Sequence, residues 1–335
     1  MNVYFLFVLL PVADAIVGKD SFKKRDGEEA GGRRDEIAVR LAVWLVPPAE
    51  LATLIYACYA AKNYHLSSLE LCGFALSVGI YTGGIAFIAG HELEHRKSRI
   101  EQCMGHMCFV LNGCGNLLVD HNRCHHKLIG TDDDGSTARF GESFYAFAPR
   151  TVVQTFGNAW RVEEDRCRDR NLPRWHNANI GHLVVAALIC TALCVAFGAK
   201  SVVVFLGGSF NAEFLLAVAN YITHYGLERE RQKDGRLEPV GYEHSWDCTS
   251  RLTNILFFQL GRHSEHHVHA TRRYQVLGTM EPGGCPELPV GWPTCFLMAF
   301  LPPVWRMVIH PRVLTLRKVI AQQNNERTFR HGPAS

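Results

Sequence analysis

The sequence predicts an all-α membrane protein: a transmembrane bundle of five or six helices with a histidine-rich metal site on its cytoplasmic side. Apolar runs of nearly membrane length alternate with loops rich in His, Arg, Asp and Glu, although the mean hydropathy is only −0.02. The placement of Lys and Arg assigns some of these loops to the cytoplasm. Three histidine clusters follow apolar runs, and all three fall on that cytoplasmic side.

Composition narrows the possible partners and compartments. The chain has 335 residues, of which 47% are hydrophobic, and its net charge is +3. This balanced charge gives no argument for nucleic acid, so we expect a lipid bilayer as the partner surface. Twelve cysteines occur without a CxxC pair, which disfavours zinc ribbons and thioredoxin-like sites.

The longest apolar runs predict the membrane spans. Met1–Val17 lacks a basic start and a cleavage site, which favours a retained helix over a signal peptide, although it is marginal in length for a full span. Lys19–Arg40 is strongly basic and therefore predicted to be cytoplasmic. The next four runs form two hairpins, with a small-residue stretch from Gly79 to Gly84 suited to close helix packing. The predicted spans are Leu41–Ala61, Leu66–Gly90, Ile180–Ala199 and Ser201–Ile222.

Three weaker apolar runs are not predicted to cross the membrane. Cys103–Val119 must dip in and out if His121 is to join His91 on one side. Leu252–Leu260 is too short to span and is expected to present the third cluster. Cys295–Ile309 is interrupted by two prolines and predicted to be interfacial. We expect one integral-membrane domain over residues 1–318 and a flexible tail over residues 319–335.

The histidine clusters have the spacing of metal ligands. Imidazoles at positions i, i+3 and i+4 share one helix face. Together with an isolated histidine after the last long span, they give nine candidate ligands: His91, His95, His121, His125, His126, His224, His263, His266 and His267. One tetrahedral zinc cannot use nine nitrogens, whereas two metals with four or five each can.

The residue pattern leaves the chemistry of this site open. Imidazole suits several metals, but a histidine-rich pair beside a membrane favours redox-active iron. A carboxylate-bridged pair is disfavoured because the histidine-cluster region has only one obvious Glu-x-x-His match, Glu92 to His95. The same residues with His91 also form the HExxH motif of zinc proteases. A metal transporter or sensor without catalysis is a further alternative.

Ligating imidazoles commonly donate their second N–H to a neighbouring acceptor, which fixes the ring orientation. By their proximity in sequence, the candidates for such supporting contacts are Glu142, Asp247, Glu265 and His269.

Six segments together resemble the membrane alkane 1-monooxygenases, within the wider membrane fatty-acid desaturase and hydroxylase superfamily. The resemblance covers roughly residues 11 to 311. The Asn-Tyr…His-Tyr-Gly-Leu segment points to the alkane hydroxylases rather than to desaturases in general. The segments are residues 91–97 (HELEHRK), 121–126 (HNRCHH), 140–143 (FGES), 220–227 (NYITHYGL), 244–246 (HSW) and 262–275, which begins RHSEHH.

The resemblance implies a six-helix fold with two non-haem iron ions held by the nine histidines on the cytoplasmic side. It implies O₂ as co-substrate, hydroxylation of the terminal carbon of a linear alkane, and electrons from a rubredoxin-type or other small electron-transfer protein. A fatty-acyl desaturase or hydroxylase with the same iron site is the nearest alternative. Glu94 and Cys124 stand where the family usually has Gly, and Thr223 where it usually has an acid. The family's first helix lies outside the resemblance, so we expect Met1 to be an internal start or an early truncation.

Overall fold

The computed structural model of the protein describes residues 2–20, 33–232, 234–278 and 284–331. Over these ranges the chain forms helices and loops with no β-strand. Backbone pairing of the β type occurs there only as isolated β-bridges between loop residues. The prediction of an all-α fold is confirmed for this part of the chain. The helices used below are α1 (Phe5–Val17), α2 (Ile37–Asn63), α3 (Ser68–Glu94), α4 (Arg99–Leu111), α5 (Gly115–Asp120), α6 (Phe144–Asp169), α7 (Ala178–Phe197), α8 (Lys200–His224), α9 (Arg251–Leu256), α10 (His263–Val268), α11 (Trp292–Ala299) and α12 (Pro302–His331).

Four of the described helices, α2, α3, α7 and α8, are long and apolar enough to cross a membrane. Helices α11 and α12 meet at an angle of 119° and add a fifth if they form one broken span. The two predicted hairpins therefore form, each a few residues longer than the apolar runs indicate. The total of five or six spans remains a prediction, and so does the domain division at residue 318.

Hydrogen bonds join the two hairpins at their turns, which lie far from the nine candidate metal ligands. Lys62 Nζ donates to the carbonyl of Ala196 at 3.1 Å, and Lys200 Nζ donates to the carbonyl of Tyr64 at 3.2 Å. Because both turns lie at one end, the returning helices α3 and α8 run in the same direction. Their last turns carry His91 and His224 to the same end of the bundle.

Helices α3 and α8 pack closely because small residues face each other. A Cβ atom added to Gly79 would lie 2.6 Å from Asn211 Cβ, and one added to Gly83 would lie 2.5 Å from Ala212 Cα. Both distances are shorter than atoms can tolerate, so larger residues would force the helices apart. The predicted packing role of this small-residue stretch is confirmed for these two glycines.

The segments between the hairpins build the histidine end of the bundle. The run Cys103–Val119 forms two helices, α4 and α5, separated by a turn in which Gly113 has a φ of 66°. The polar stretch that follows contains α6, a 26-residue helix that the sequence reading did not predict. It packs against α5 and α8 and so supports both the second histidine cluster and His224.

Helix α1 is joined to α9 through a buried carboxylate. Asp14 Oδ1 accepts the backbone N–H of Leu252 at 3.0 Å and that of Thr253 at 3.2 Å, while its second oxygen accepts the Thr253 hydroxyl. Asp14 thereby satisfies N–H groups at the start of a short helix that has no side-chain cap of its own. Since α9 leads into the third histidine cluster, α1 helps to position the site.

Replacing Asp14 by Ala should lower the apparent melting temperature of the detergent-solubilised protein by several degrees. The loss of a helix cap costs about 0.5–2 kcal/mol, and unsatisfied buried N–H groups add to it. Val12→Ala, at an exposed position of the same helix, is the matched control and should change the midpoint little. Equal midpoints for both variants would show that Asp14 does not fasten α1 to α9.

Candidate metal centre

The nine predicted histidines come together in the structure as two groups of ligand atoms. Within each group, the candidate nitrogen atoms all lie within 4.8 Å of one another. One group contains His91, His95, His121, His126 and His266, and the other contains His125, His224, His263 and His267. Histidine is the only residue type in both groups, so no carboxylate or thiolate joins either set among the described residues.

Local helix geometry decides which group each histidine joins. His91 and His95 lie one α-turn apart and share a group, as do His263 and His267. Residues His121–His125 form a π-helical turn instead, in which residues five apart approach each other. His126 therefore faces His121, with 2.9 Å between their Nε2 atoms, while His125 turns towards the second group.

The ring nitrogens are too crowded to be explained by hydrogen bonds. His121 Nε2 lies 2.8 Å from His91 Nε2, 3.0 Å from His95 Nε2 and 2.9 Å from His126 Nε2. A neutral imidazole carries a single N–H, so one nitrogen cannot make three such bonds. Metal–nitrogen bonds of about 2.1 Å place adjacent ligands of an octahedral ion roughly 3.0 Å apart.

The second group shows the same crowding. His263 Nε2 lies 3.0 Å from His224 Nε2 and 3.1 Å from His267 Nε2. In the first group, His266 Nε2 is buried without any hydrogen-bond partner. Convergent lone pairs and an orphaned buried nitrogen are what a cation would satisfy, so the residues fit a metal in each group.

Burial keeps these imidazoles neutral. Desolvation, with a further contribution from nearby positive charge, lowers the pKa of His95 and of His263 to about 3. The same cause moves the pKa of His121, His126, His266 and His267 well below the usual value. Only neutral imidazole offers a lone pair to a metal, so these groups can bind metal at neutral pH without first losing a proton.

Asp134 supports the second group and was missed by the sequence reading. Its Oδ2 accepts from His125 Nδ1 at 2.9 Å, which turns Nε2 of the same ring towards the metal position. The carboxylate is itself held by the Thr137 hydroxyl at 2.7 Å and by the backbone N–H of Ser136 at 3.1 Å. The only signal in the sequence is that Asp134 is one of three consecutive aspartates nine residues beyond His125.

Two of the predicted supporting residues fix the position of α10. Asp247 Oδ1 accepts the N–H of Ser264 at 2.7 Å, and burial raises the pKa of this carboxyl to about 6. Glu265 contacts Arg272 Nη1 and the N–H of Gly278, both at 2.5 Å, and so joins α10 to the chain that follows it. Both contacts hold the helix that carries the third cluster.

The other two predicted supporting residues lie elsewhere. Both carboxylate oxygens of Glu142 accept hydrogen bonds from Arg150 at 2.8 Å. This carboxylate therefore pairs with an arginine and not with an imidazole. A nearby Arg provides a full charge, which a neutral imidazole N–H cannot match. His269 Nε2 lies 3.3 Å from the Tyr242 hydroxyl.

Glu92, the potential base of a zinc-protease motif, is turned away from the imidazoles. Its Oε1 accepts the backbone N–H of Tyr274 at 3.2 Å, and its Oε2 lies 3.4 Å from Arg96 Nη2. Arg96 also donates to the carbonyls of Thr271 and Arg272, and so clamps the end of α3 to the chain after α10. Glu92 therefore has a structural role here, which disfavours the protease alternative.

Two of the three residues that depart from the family pattern, Glu94 and Cys124, lie beside the nine histidines without joining either group. Glu94 Oε1 accepts from Asn122 Nδ2 at 3.2 Å, and Glu94 Oε2 lies 3.1 Å from His106 Nε2. This contact raises the pKa of His106. Cys124 is buried within the π-helical turn. Neither departure displaces one of the nine histidines.

A cavity of about 440 Å³ opens onto both histidine groups. Leu6, Ile88, Leu215 and Phe296 are among its many apolar wall residues. Four of the nine histidines also line it: His91, His121, His125 and His263. The cavity has the size of a small-molecule site, and it contains no Lys or Arg among its lining residues.

Replacing Asp134 by Ala should lower the metal content of the purified protein, with the loss confined to one of two metals. The loss of such a supporting carboxylate typically weakens metal affinity by about 10–100-fold. Asp132→Asn is the matched control, because Asp132 belongs to the same aspartate run but pairs with Arg139 at the surface. Metal analysis during titration with a chelator measures the effect, and an unchanged titration curve for Asp134→Ala would contradict it.

The comparisons with known proteins agree with this geometry. The family model described as fatty acid desaturase matches residues 68–310. The alkane 1-monooxygenase 2 of Alcanivorax borkumensis is 37% identical over 92% of this chain and 81% of its own length. The alkane 1-monooxygenase 2 of Pseudomonas aeruginosa is 36% identical over 92% of this chain and 82% of its own. The xylene/toluene monooxygenase hydroxylase component of Pseudomonas putida is 26% identical over 72% of this chain and 64% of its own.

Proposed function

The chain belongs to the fatty acid desaturase family and, within it, to the alkane 1-monooxygenases, which makes it a membrane oxidoreductase. We propose that it hydroxylates the terminal carbon of linear alkanes to primary alcohols, with two non-haem irons held by the nine histidines. The observation that carries this proposal is the junction of the apolar cavity with both groups of imidazoles.

The donor set supports a pair of ions and not a single one. Five nitrogens converge in one group and four in the other, and each number suits one ion with room for a further ligand. Bound iron would supply O₂ activation and electron transfer, which no side chain can provide. In the overall reaction, O₂, two electrons and two protons convert a terminal methyl group to the alcohol and release one water.

The protein's own contribution is to bind and orient a hydrocarbon. The apolar walls would let an alkane pass from lipid into the cavity without exposing it to water. The histidine end of the cavity brings only one part of the chain close to the imidazoles. A chain end reaches that position more easily than an internal carbon, since the latter would require the substrate to fold back.

The same cavity favours an alkane over a fatty-acyl substrate. A carboxylate or a phosphate-bearing carrier needs cationic or strong donor groups, and the described cavity wall contains no Lys or Arg. Asp120, whose Oδ1 is buried without a hydrogen-bond partner, is the one acid that faces the cavity. An acid at this position offers no positive charge to balance a substrate carboxylate.

We further propose that the metal centre faces the cytoplasm and receives electrons from a rubredoxin-type or other small electron-transfer protein. Among the described residues, the histidine end of the bundle carries long loops with many basic residues, while the two hairpins turn at the opposite end through short links. The positive-inside rule then orients the histidine end inwards. A soluble donor could reach this end without crossing the bilayer.

Purified protein should contain about two irons per chain and, with a reducing partner and O₂, should convert n-octane to 1-octanol. His224→Ala should lower the affinity of its histidine group for iron, and the turnover, more than about 100-fold, since changes outside the ligand set already cost 10–100-fold. His65→Ala is the control, because His65 is exposed at the opposite end of the bundle. One zinc with little iron, or full activity in His224→Ala, would refute the assignment.

The products distinguish the alternatives. New double bonds in cellular lipids without 1-octanol would indicate a fatty-acyl desaturase. Preferential oxidation of a methylbenzene would place the chain closer to the xylene/toluene relative. Each measurement uses membranes that contain the unmodified protein, and membranes that contain the His224→Ala variant give the background.

A further inference from the structure

We propose that Gly84 sets the upper chain length of the substrate by leaving the cavity open beyond the middle of α3. The proposal rests on the proposed function, because it concerns the length of the aliphatic chain that the same cavity admits. Its physical basis is that this glycine, unlike its neighbours Gly79 and Gly83, is not required by helix packing.

One face of α3 forms a wall along the length of the cavity. Ile80, Gly84, Ile88 and His91 all line it, at spacings of three and four residues. All four belong to one continuous helix, in which residues 81–86 are π-helical, so sequence position along α3 corresponds to distance from the histidine end. The opposite wall includes residues from α1 and α11, such as Leu6 and Phe296.

The surroundings of the two adjacent glycines differ sharply. A Cβ on Gly83 would lie 2.5 Å from Ala212 Cα, so α8 excludes any side chain there. A Cβ on Gly84 would have Leu215 Cδ1 as its nearest neighbour, at 3.8 Å. The backbone of Gly84 is not in the left-handed region either. The structure therefore has room for a side chain at residue 84, and that room is cavity.

The position of Gly84 translates into a substrate length. It precedes His91 by seven residues, which corresponds to about 10 Å at a rise of about 1.5 Å per residue. Ile80 lies about 16 Å away on the same scale. An extended chain advances about 1.25 Å per carbon, given carbon–carbon bonds of about 1.5 Å. A bulky residue at position 84 would thus limit the chain to about eight carbons, against about thirteen to Ile80.

The test compares Gly84→Leu with Gly73→Leu. Gly73 lies on the same helix, is exposed, and has no atom within 4 Å of an added Cβ, so it receives the same change on the outer face. Each variant is offered equal amounts of n-hexane and n-dodecane, and the two alcohols are quantified. Iron content and apparent melting temperature show whether the variants fold.

Gly84→Leu should lower the ratio of dodecanol to hexanol roughly tenfold to hundredfold, the range expected when extra methyl groups overfill a packed site. Gly73→Leu should keep the ratio of the unmodified protein, and Gly84→Ala should fall between them. An unchanged ratio in Gly84→Leu would overturn the proposal.

Equilibrium binding of radiolabelled hexane and dodecane to the purified protein separates a failure of the proposed hydroxylase function from a failure of the proposed role of Gly84. If the unmodified protein binds both chains but oxidises neither, the proposed function fails. The role of Gly84 is then still decided by whether Gly84→Leu loses dodecane binding selectively. A Gly84→Leu protein that binds dodecane as the unmodified protein does would again overturn it.

Discussion

The crowding of unprotonated ring nitrogens is the constraint on which this structure depends. Nε2 atoms within about 3 Å of each other, buried and neutral, repel one another unless a cation lies between them. The imidazoles come from helix ends and loops that are distant in sequence, so a metal bound between them would also stabilise the final packing of this end of the bundle. The two hairpins supply the rigid part, because α3 and α8 end at the same level through the close fit of their small residues.

The remaining contacts are those needed to hold the shorter elements against that rigid pair. Arg96 joins the end of α3 to the chain after α10, and Asp247 fixes the first turn of α10. Asp14 joins α1 to α9, and Asp134 orients His125. Each is a buried charged group that satisfies backbone N–H or C=O groups or a ring nitrogen, so each compensates locally for its own desolvation.

The gathering of these nine histidines could be predicted from the sequence because histidine spacing after an apolar run is a local property. The division of the nine histidines into a group of five and a group of four could not be predicted. It depends on a π-helical turn at His121–His125 that no spacing rule indicates. Supporting residues were harder still. Glu142 lies in a motif shared with the family but pairs with Arg150, whereas Asp134 lies in an aspartate run that resembles a solvated loop. Proximity in sequence cannot distinguish these cases, since each depends on contacts between distant segments.

The small-residue stretch of α3 shows why a single pattern can serve two purposes. Gly79 and Gly83 face α8 and permit close approach, which a sequence reading recognises. Gly84 faces the cavity, and its lack of a side chain leaves cavity volume open without being required for the packing of α3 against α8. The polar cavity-lining atoms near the metal end are partly paired with each other, as in the contact of Asn220 Nδ2 with Ser136 Oγ at 2.9 Å. A hydrocarbon in this cavity would therefore meet apolar walls along α3 and the histidine groups near the end of that helix. For a substrate without functional groups, this difference along the cavity is the one physical property by which an enzyme can select a particular carbon.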